Sequence, residues 1–373
     1  MPRLIGLRLL KLGPVLFLVS LATFFIVDLV PGDPAVAVLG PDASPAQYAA
    51  VRTELGLDQP VVQRYVDWIG HALRGDLGDS LVKPGFSVSE LLKLSLPITL
   101  ELAFLGMLIA LFFSLPLAIW AAYREGTSVD RVANGLTAAL ISIPGFLAGL
   151  LLAYLFVFQP NVPRYIWLFL GCIPGFVAIV TAARRWGDDL KQAVIARFAF
   201  GVVAIGVTLL IFFNFPSFPR TGFVRLTSDE GIRENLRSAF LPALTISITE
   251  IAVFTRLLRS DLIATLQEDF ILSAKAKGMP AWRILWREAL RPSSFSLITL
   301  AGVAFGRAIG GTVIVESIFG IQGVGRLVVN DGVIPGDYPI VQGGVLVIAV
   351  FYVMINLVVD VSYLYLDPRI RRG

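Results

Sequence analysis

The chain has 373 residues, of which 56% are apolar and 16% charged, with mean hydropathy +0.78 and a formal net charge of +4. A soluble globule clothes its surface with about a quarter charged residues, so a soluble fold is excluded. The apolar runs are long enough to match the roughly 20 helical residues that cross about 30 Å of hydrocarbon. A β-barrel, whose strands alternate over about ten residues, is excluded with it.

The residues predict an all-α polytopic membrane protein with eight spans, at about 9–30, 97–122, 132–158, 165–183, 196–214, 241–260, 294–315 and 339–366. The first apolar core, Pro14 to Val30, follows Arg3, Arg8 and Lys11 and leads into Pro31-Gly32-Asp33-Pro34. It is too long for a signal-peptide core and lacks a small-residue cleavage site, so it reads as a retained span. The polar segment 31–96 comes next. Ser44-Pro45-Ala46-Gln47 has the form of a capping box, and Gly56 ends that helix. An amphipathic helix follows from Pro60 to Arg74, with Val62, Tyr65, Val66, Ile69 and Leu73 on one face.

Lysines and arginines in short loops set orientation. Arg3, Arg8 and Lys11 place the N-terminus in the cytoplasm, and eight spans return Arg369, Arg371 and Arg372 there. Arg124 and Arg131, then Arg184, Arg185, Lys191 and Arg197, then the cluster from Arg256 to Arg291 mark the intermediate cytoplasmic loops. Segment 31–96 is external and leans acidic. Loop 215–240 runs against the rule with Arg220, Arg225, Arg233 and Arg237, but it is longer and also carries Asp229, Glu230 and Glu234.

The most informative stretch runs from Asp261 to Pro292. Gly278 can close one helix in a left-handed cap and Pro280 can open the next. The second helix puts Trp282, Leu285, Trp286 and Ala289 on one face, and Arg283, Arg287 and Arg291 on another. A short rigid helix between two spans can seat its apolar face on a soluble partner and pass a rotation into the membrane. An interfacial helix on anionic lipid fits the same residues.

The sequence resembles the permease subunits of dipeptide/oligopeptide-type ABC importers. Ser273, Ala274, Lys275, Ala276, Lys277, Gly278 and Met279, with Pro280 and then Trp282, Arg283, Trp286 and Arg287, resemble that family's coupling loop, which docks into the ATPase subunit. Further matches follow in order: Val30–Pro34, Leu55–Pro60, Gly75–Gly78, Leu96–Glu101, Glu316–Gly320 with Gly323-Val-Gly325, Asp337–Gly344 and Asp367–Arg371. Three departures stand out. Leu272-Ser273-Ala274 replaces a usual Glu-Ala-Ala, and Ile321-Gln322 replaces a usual aromatic-proline pair. The family usually has six spans, so the pair within 164–214 looks inserted. As a pair it keeps the coupling loop on the cytoplasmic side. Packing against lipid at the periphery is the plain reading of it.

The resemblance implies a type I ABC importer transmembrane fold: one permease domain over 1–373, with core spans 241–366 carrying the coupling loop 262–291. It implies half of a translocation pathway for di- and oligopeptides. The partners would be a second homologous permease, two cytosolic ATPase subunits that bind ATP and Mg, and an external substrate-binding protein or lipoprotein, at the cytoplasmic (inner) membrane of a bacterium. Near relatives carry nickel complexes, glutathione-like compounds or haem. The chain has no Gly-x-x-x-x-Gly-Lys-Ser/Thr loop of its own, so neither nucleotide nor other cofactor is expected on it, and it is expected not to be an enzyme. Basic residues follow membrane side, not one aromatic-lined face, which argues for lipid and against nucleic acid. A self-sufficient secondary transporter would show repeats and broken helices at matched places.

Ionisable groups within spans are functional candidates by default. Glu250 falls about ten residues into the sixth span and Arg307 about fourteen into the seventh, so at 1.5 Å per residue their depths agree within roughly 6 Å. They form either a structural ion pair or a joint contact on the pathway. Glu101 and Glu316 read as residues near external ends, wetted by water. Pro116, Pro144 and Pro174 read as kinks. His71 has no second metal-ligating partner nearby, and no metal site is expected.

Overall fold

The computed structural model describes residues 13–25, 34–40, 43–54, 56–184 and 191–366. Expectations that fall on residues 1–12, 26–33, 185–190 and 367–373 lie outside the described residues. Every regular element among those described is helical. They are α1 (Gly13–Phe25), α2 (Pro34–Leu39), α3 (Pro45–Glu54), α4 (Val61–Ala72), α5 (Val88–Tyr123), α6 (Ser128–Ser142), α7 (Gly145–Ala153), α8 (Asn161–Arg184), α9 (Lys191–Phe213), α10 (Gly231–Leu266), α11 (Asp269–Ala276), α12 (Ala281–Arg283), α13 (Leu290–Ile318), α14 (Val324–Arg326) and α15 (Tyr338–Leu366).

Six helices, α5, α8, α9, α10, α12 continuous with α13, and α15, are long and apolar enough to cross a membrane. Taken together, α6 and α7 would make a seventh crossing, but a broken one. The expected single helix over 132–158 stops at Ile143, which is extended (φ −86°, ψ 118°). The ring of Pro144 forces that conformation on the residue before it. Pro97 and Pro116 in α5, Pro174 in α8 and Pro242 in α10 sit inside continuous helices. Of the expected first span, α1 covers the described part.

Two compact units result. In the first (Met1–Ala148 with Phe223–Gly373) α10 is central. At 36 residues each, α5 and α10 reach about 54 Å, and they pack side by side. A Cβ on Gly106 of α5 would stand 3.1 Å from the Ala243 carbonyl of α10. A Cβ on Gly306 of α13 would stand 3.0 Å from the Tyr352 ring of α15. In hydrocarbon no hydrophobic force drives helices together, so close approach at small residues supplies the packing energy.

The second unit (Gly149–Gly222) is a hairpin of α8 and α9. Gly175 and Gly201 bring the two backbones together, for a Cβ on Gly175 would lie 2.8 Å from the Gly201 carbonyl. Arg164 Nε donates to the Phe212 carbonyl at 2.8 Å and Trp167 Nε1 to that of Thr208 at 3.2 Å. Cys172 lies half-buried on α8.

The capping box is present: Ser44 N–H donates to Gln47 Oε1 at 2.8 Å, and Gln47 N–H to Ser44 Oγ at 3.4 Å. On α4 the packed face differs from the expected one. Tyr65 is buried, its hydroxyl 2.8 Å from Ser20 Oγ, and its ring meets Phe24 edge-on and Trp68 at a tilt, whereas Val62, Val66 and Leu73 face outward. Two aromatic rings bury more area than valines, and the tyrosine hydroxyl also finds a partner there.

Candidate functional site

Four features of the first unit define the site, beginning at the turn between α11 and α12. Gly278 has φ +73°. Met279 N–H donates to the Ala274 carbonyl at 3.2 Å and Gly278 N–H to that of Lys275 at 3.0 Å, the bond pair of a Schellman cap. A Cβ on Gly278 would touch nothing, so backbone conformation and not space selects glycine here. Pro280 then opens α12, which passes into a π-helical turn over Ile284–Ala289 before α13 begins.

Ile271, Ala274, Ile284, Leu285 and Ala289 are buried in one cluster with Phe254, Leu258 and Leu262 of α10 and Ala118, Ile119 and Ala122 of α5. Met279 packs against it. Trp282 and Trp286 are 67% and 52% exposed, beside exposed Ser273, Lys275, Ala276, Lys277, Arg283 and Arg287. This corrects the expectation that Trp282, Leu285, Trp286 and Ala289 share a face. The i→i+5 bonds of the π turn break the 3.6-residue repeat, turning Leu285 and Ala289 inward and both indoles outward. The turn is thus sealed on one side and presents indoles and cations on the other.

Its stems are tied together. Thr265 Oγ1 at the end of α10 lies 2.8 Å from Ser293 Oγ of α13. Arg259 of α10 grips Asp130 of α6 with Nε–Oδ1 at 2.6 Å and Nη2–Oδ2 at 2.8 Å. Gly126 N–H and Asn134 Nδ2 donate to the same carboxylate, each at 3.0 Å. Such a bidentate pair fixes orientation as well as distance. Sequence reading missed it, since Asp130 carries no mark beyond its place in a helix first turn.

Midway along the bundle, Arg307 Nη2 of α13 lies 3.2 Å from Glu250 Oε1 of α10. The arginine side chain is 57% exposed and the glutamate 16%. Glu250 Oε2 is buried without a hydrogen-bond partner among the described residues.

At the end of the bundle away from α11, Glu316 has no exposed surface. Its Oε1 accepts the Thr99 hydroxyl at 2.7 Å and its Oε2 the Arg326 N–H at 2.9 Å. Thr99 in turn accepts the Val324 N–H at 2.9 Å. The expectation that Glu316 is wetted near a helix end is therefore wrong, because the Gly323-Val-Gly325 turn closes over it. A Cβ on Gly323 would overlap its carboxylate. Glu101 likewise accepts Asn235 Nδ2, at 2.7 Å, from a wholly buried asparagine. Nearby, buried Asp337 accepts from the Ser80 hydroxyl and, at 3.1 Å, from Val82 N–H, pinning the 75–87 loop beside α15. His71 faces solvent, its Nδ1 2.8 Å from the Asp67 carbonyl.

Two family models cover nearly all of the chain. The binding-protein-dependent transport system inner membrane component matches residues 114–372, and the N-terminal membrane component of such systems matches 1–103. Among curated proteins, a probable D,D-dipeptide transport system permease protein of Escherichia coli is 33% identical over 360 residues, covering 95% of this chain and 93% of its own. A probable peptide ABC transporter permease protein of Sinorhizobium fredii is 31% identical over 364 residues (98% and 97%). A di/tripeptide transport system permease protein of Pseudomonas aeruginosa is 31% identical over 373 residues (98% of each chain).

Proposed function

The chain belongs to the family of binding-protein-dependent transport system inner membrane components, and from that premise we propose that it forms half of the translocation pathway of an ATP-driven importer of di- and oligopeptides. The printed names of its relatives support the peptide class. A single structural observation carries the motor side of the reading. The α11–α12 turn is sealed to the core through Ile271, Ile284, Leu285 and Ala289, and it offers Trp282 and Trp286 among Lys277, Arg283 and Arg287 on its free side.

On this reading the end of the bundle bearing α11 lies in the cytoplasm, as the basic loops require, in the inner membrane of a bacterium. A cytosolic ATPase subunit seats the indoles. Closure of two such subunits on ATP and Mg swings the turn. The Thr265–Ser293 and Arg259–Asp130 ties pass that motion to α10, α13 and α6 together. The pathway, shared with a second homologous permease, opens outward to receive peptide from an external binding protein, and hydrolysis resets it. The test is co-purification: the ATPase subunits should remain bound to the chain in detergent and dissociate from Trp282→Ala/Trp286→Ala. Retention by the double variant would place the motor elsewhere.

A further inference from the structure

A guanidinium in the middle of a membrane span costs several kcal/mol unless it is paired or wet. Arg307 stands near the middle of the 29-residue α13 and is more than half exposed. It touches Glu250 through Nη2 alone and makes no other hydrogen bond among the described residues. An arginine carries five N–H donors in a planar fork, so the outer edge of this one is left without an acceptor. Val303, Gly310, Gly311 and Ile314 share the outward face of α13. A Cβ on Gly310 or Gly311 would meet nothing within 4 Å. One turn from the guanidinium there is therefore an open, backbone-wide strip.

We propose that Arg307 is a specificity-determining residue of the pathway, lending its free edge to the carboxylate of the passing solute while Glu250 limits how tightly it holds. The proposal rests on the peptide-importer reading above. Lipid fits this face poorly, because the guanidinium N–H groups that Glu250 leaves free would meet no acceptor in hydrocarbon. A permanent carboxylate from the second permease fits poorly as well. Glu250 already neutralises Arg307, and a further fixed buried anion would be uncompensated. A zwitterionic peptide brings its own cation and leaves. A carboxylate matches the arginine fork in bidentate geometry. Transport also needs binding that is favourable enough to enter yet weak enough to release, which a lone unpaired arginine would not give.

The test uses the complete complex with Cys172→Ser and Ile314→Cys, treated with anionic and cationic methanethiosulfonates of matched size in each nucleotide state. The cysteine should react in the outward-open state and favour the anionic reagent, and Arg307→Gln should lower that preference by about threefold or more. No reaction in any state, or an unchanged preference, overturns the proposal. Restored peptide uptake in the exchanged pair Glu250→Arg/Arg307→Glu also overturns it, since a structural lock alone survives exchange. Should Arg307→Gln fail to assemble, dialanine must slow modification of the Ile314→Cys complex more than dialanine amide does; equal protection overturns the proposal. Peptide-stimulated ATP hydrolysis in the same preparation reports separately on the importer reading.

Discussion

The hydroxyl of Thr99 donates to the carboxylate of Glu316 at 2.7 Å, across 217 residues of sequence, and accepts the N–H of Val324. One side chain of α5 thereby pins the end of α13 and the turn that follows it. Thr99→Val keeps the shape and strands both partners, at roughly 1–3 kcal/mol for each buried polar group left unpaired. The melting temperature of the purified complex should fall for Thr99→Val and largely recover for Thr99→Ser.

Glycines divide by what surrounds them. Gly323→Ala drives a methyl into Glu316 and should abolish folded yield. Gly135→Ala in α6 meets nothing within 4 Å and should be neutral or stabilising by up to about 1 kcal/mol, the helix preference for alanine. Size-exclusion profiles and melts of the two variants check both outcomes.

Gly278 is needed for its φ of +73° alone. Gly278→Val should cost about 1–2 kcal/mol at the turn and Gly278→Asn less, because asparagine enters the left-handed region more readily. Both variants should insert and assemble, with peptide-stimulated ATP hydrolysis lowered more by valine than by asparagine.

Arg259→Ala leaves the Asp130 carboxylate, buried in the fold, without its cation. Leaving this shielded carboxylate short of its partner should cost roughly 1–3 kcal/mol. Arg259→Lys should recover only part of this, since the bidentate fork is lost. The double change Arg259→Leu/Asp130→Asn should be milder than Arg259→Ala in a thermal melt.

The crossing helices were legible because they depend on composition and length alone. The Ser44–Gln47 cap and the left-handed Gly278 were legible because their signals are local to a few residues. The Pro144 break was foreshadowed by proline chemistry, though as a kink rather than an end. The Thr99–Glu316 and Asp130–Arg259 bonds were not legible, because they join segments more than a hundred residues apart and no local pattern says which residue meets which. The inward turn of Leu285 and Ala289, away from Trp282 and Trp286, was missed for a different reason: a periodicity of 3.6 was applied where the backbone takes a π turn.

On this reading the α11–α12 turn couples a peptide pathway to a separate cytosolic ATPase. The most direct measurement is ATP hydrolysis by the reconstituted complex, with and without peptide-loaded binding protein, for the wild type and Trp282→Ala/Trp286→Ala. Peptide should stimulate hydrolysis by the wild type and not by the variant. Equal stimulation in both would contradict it.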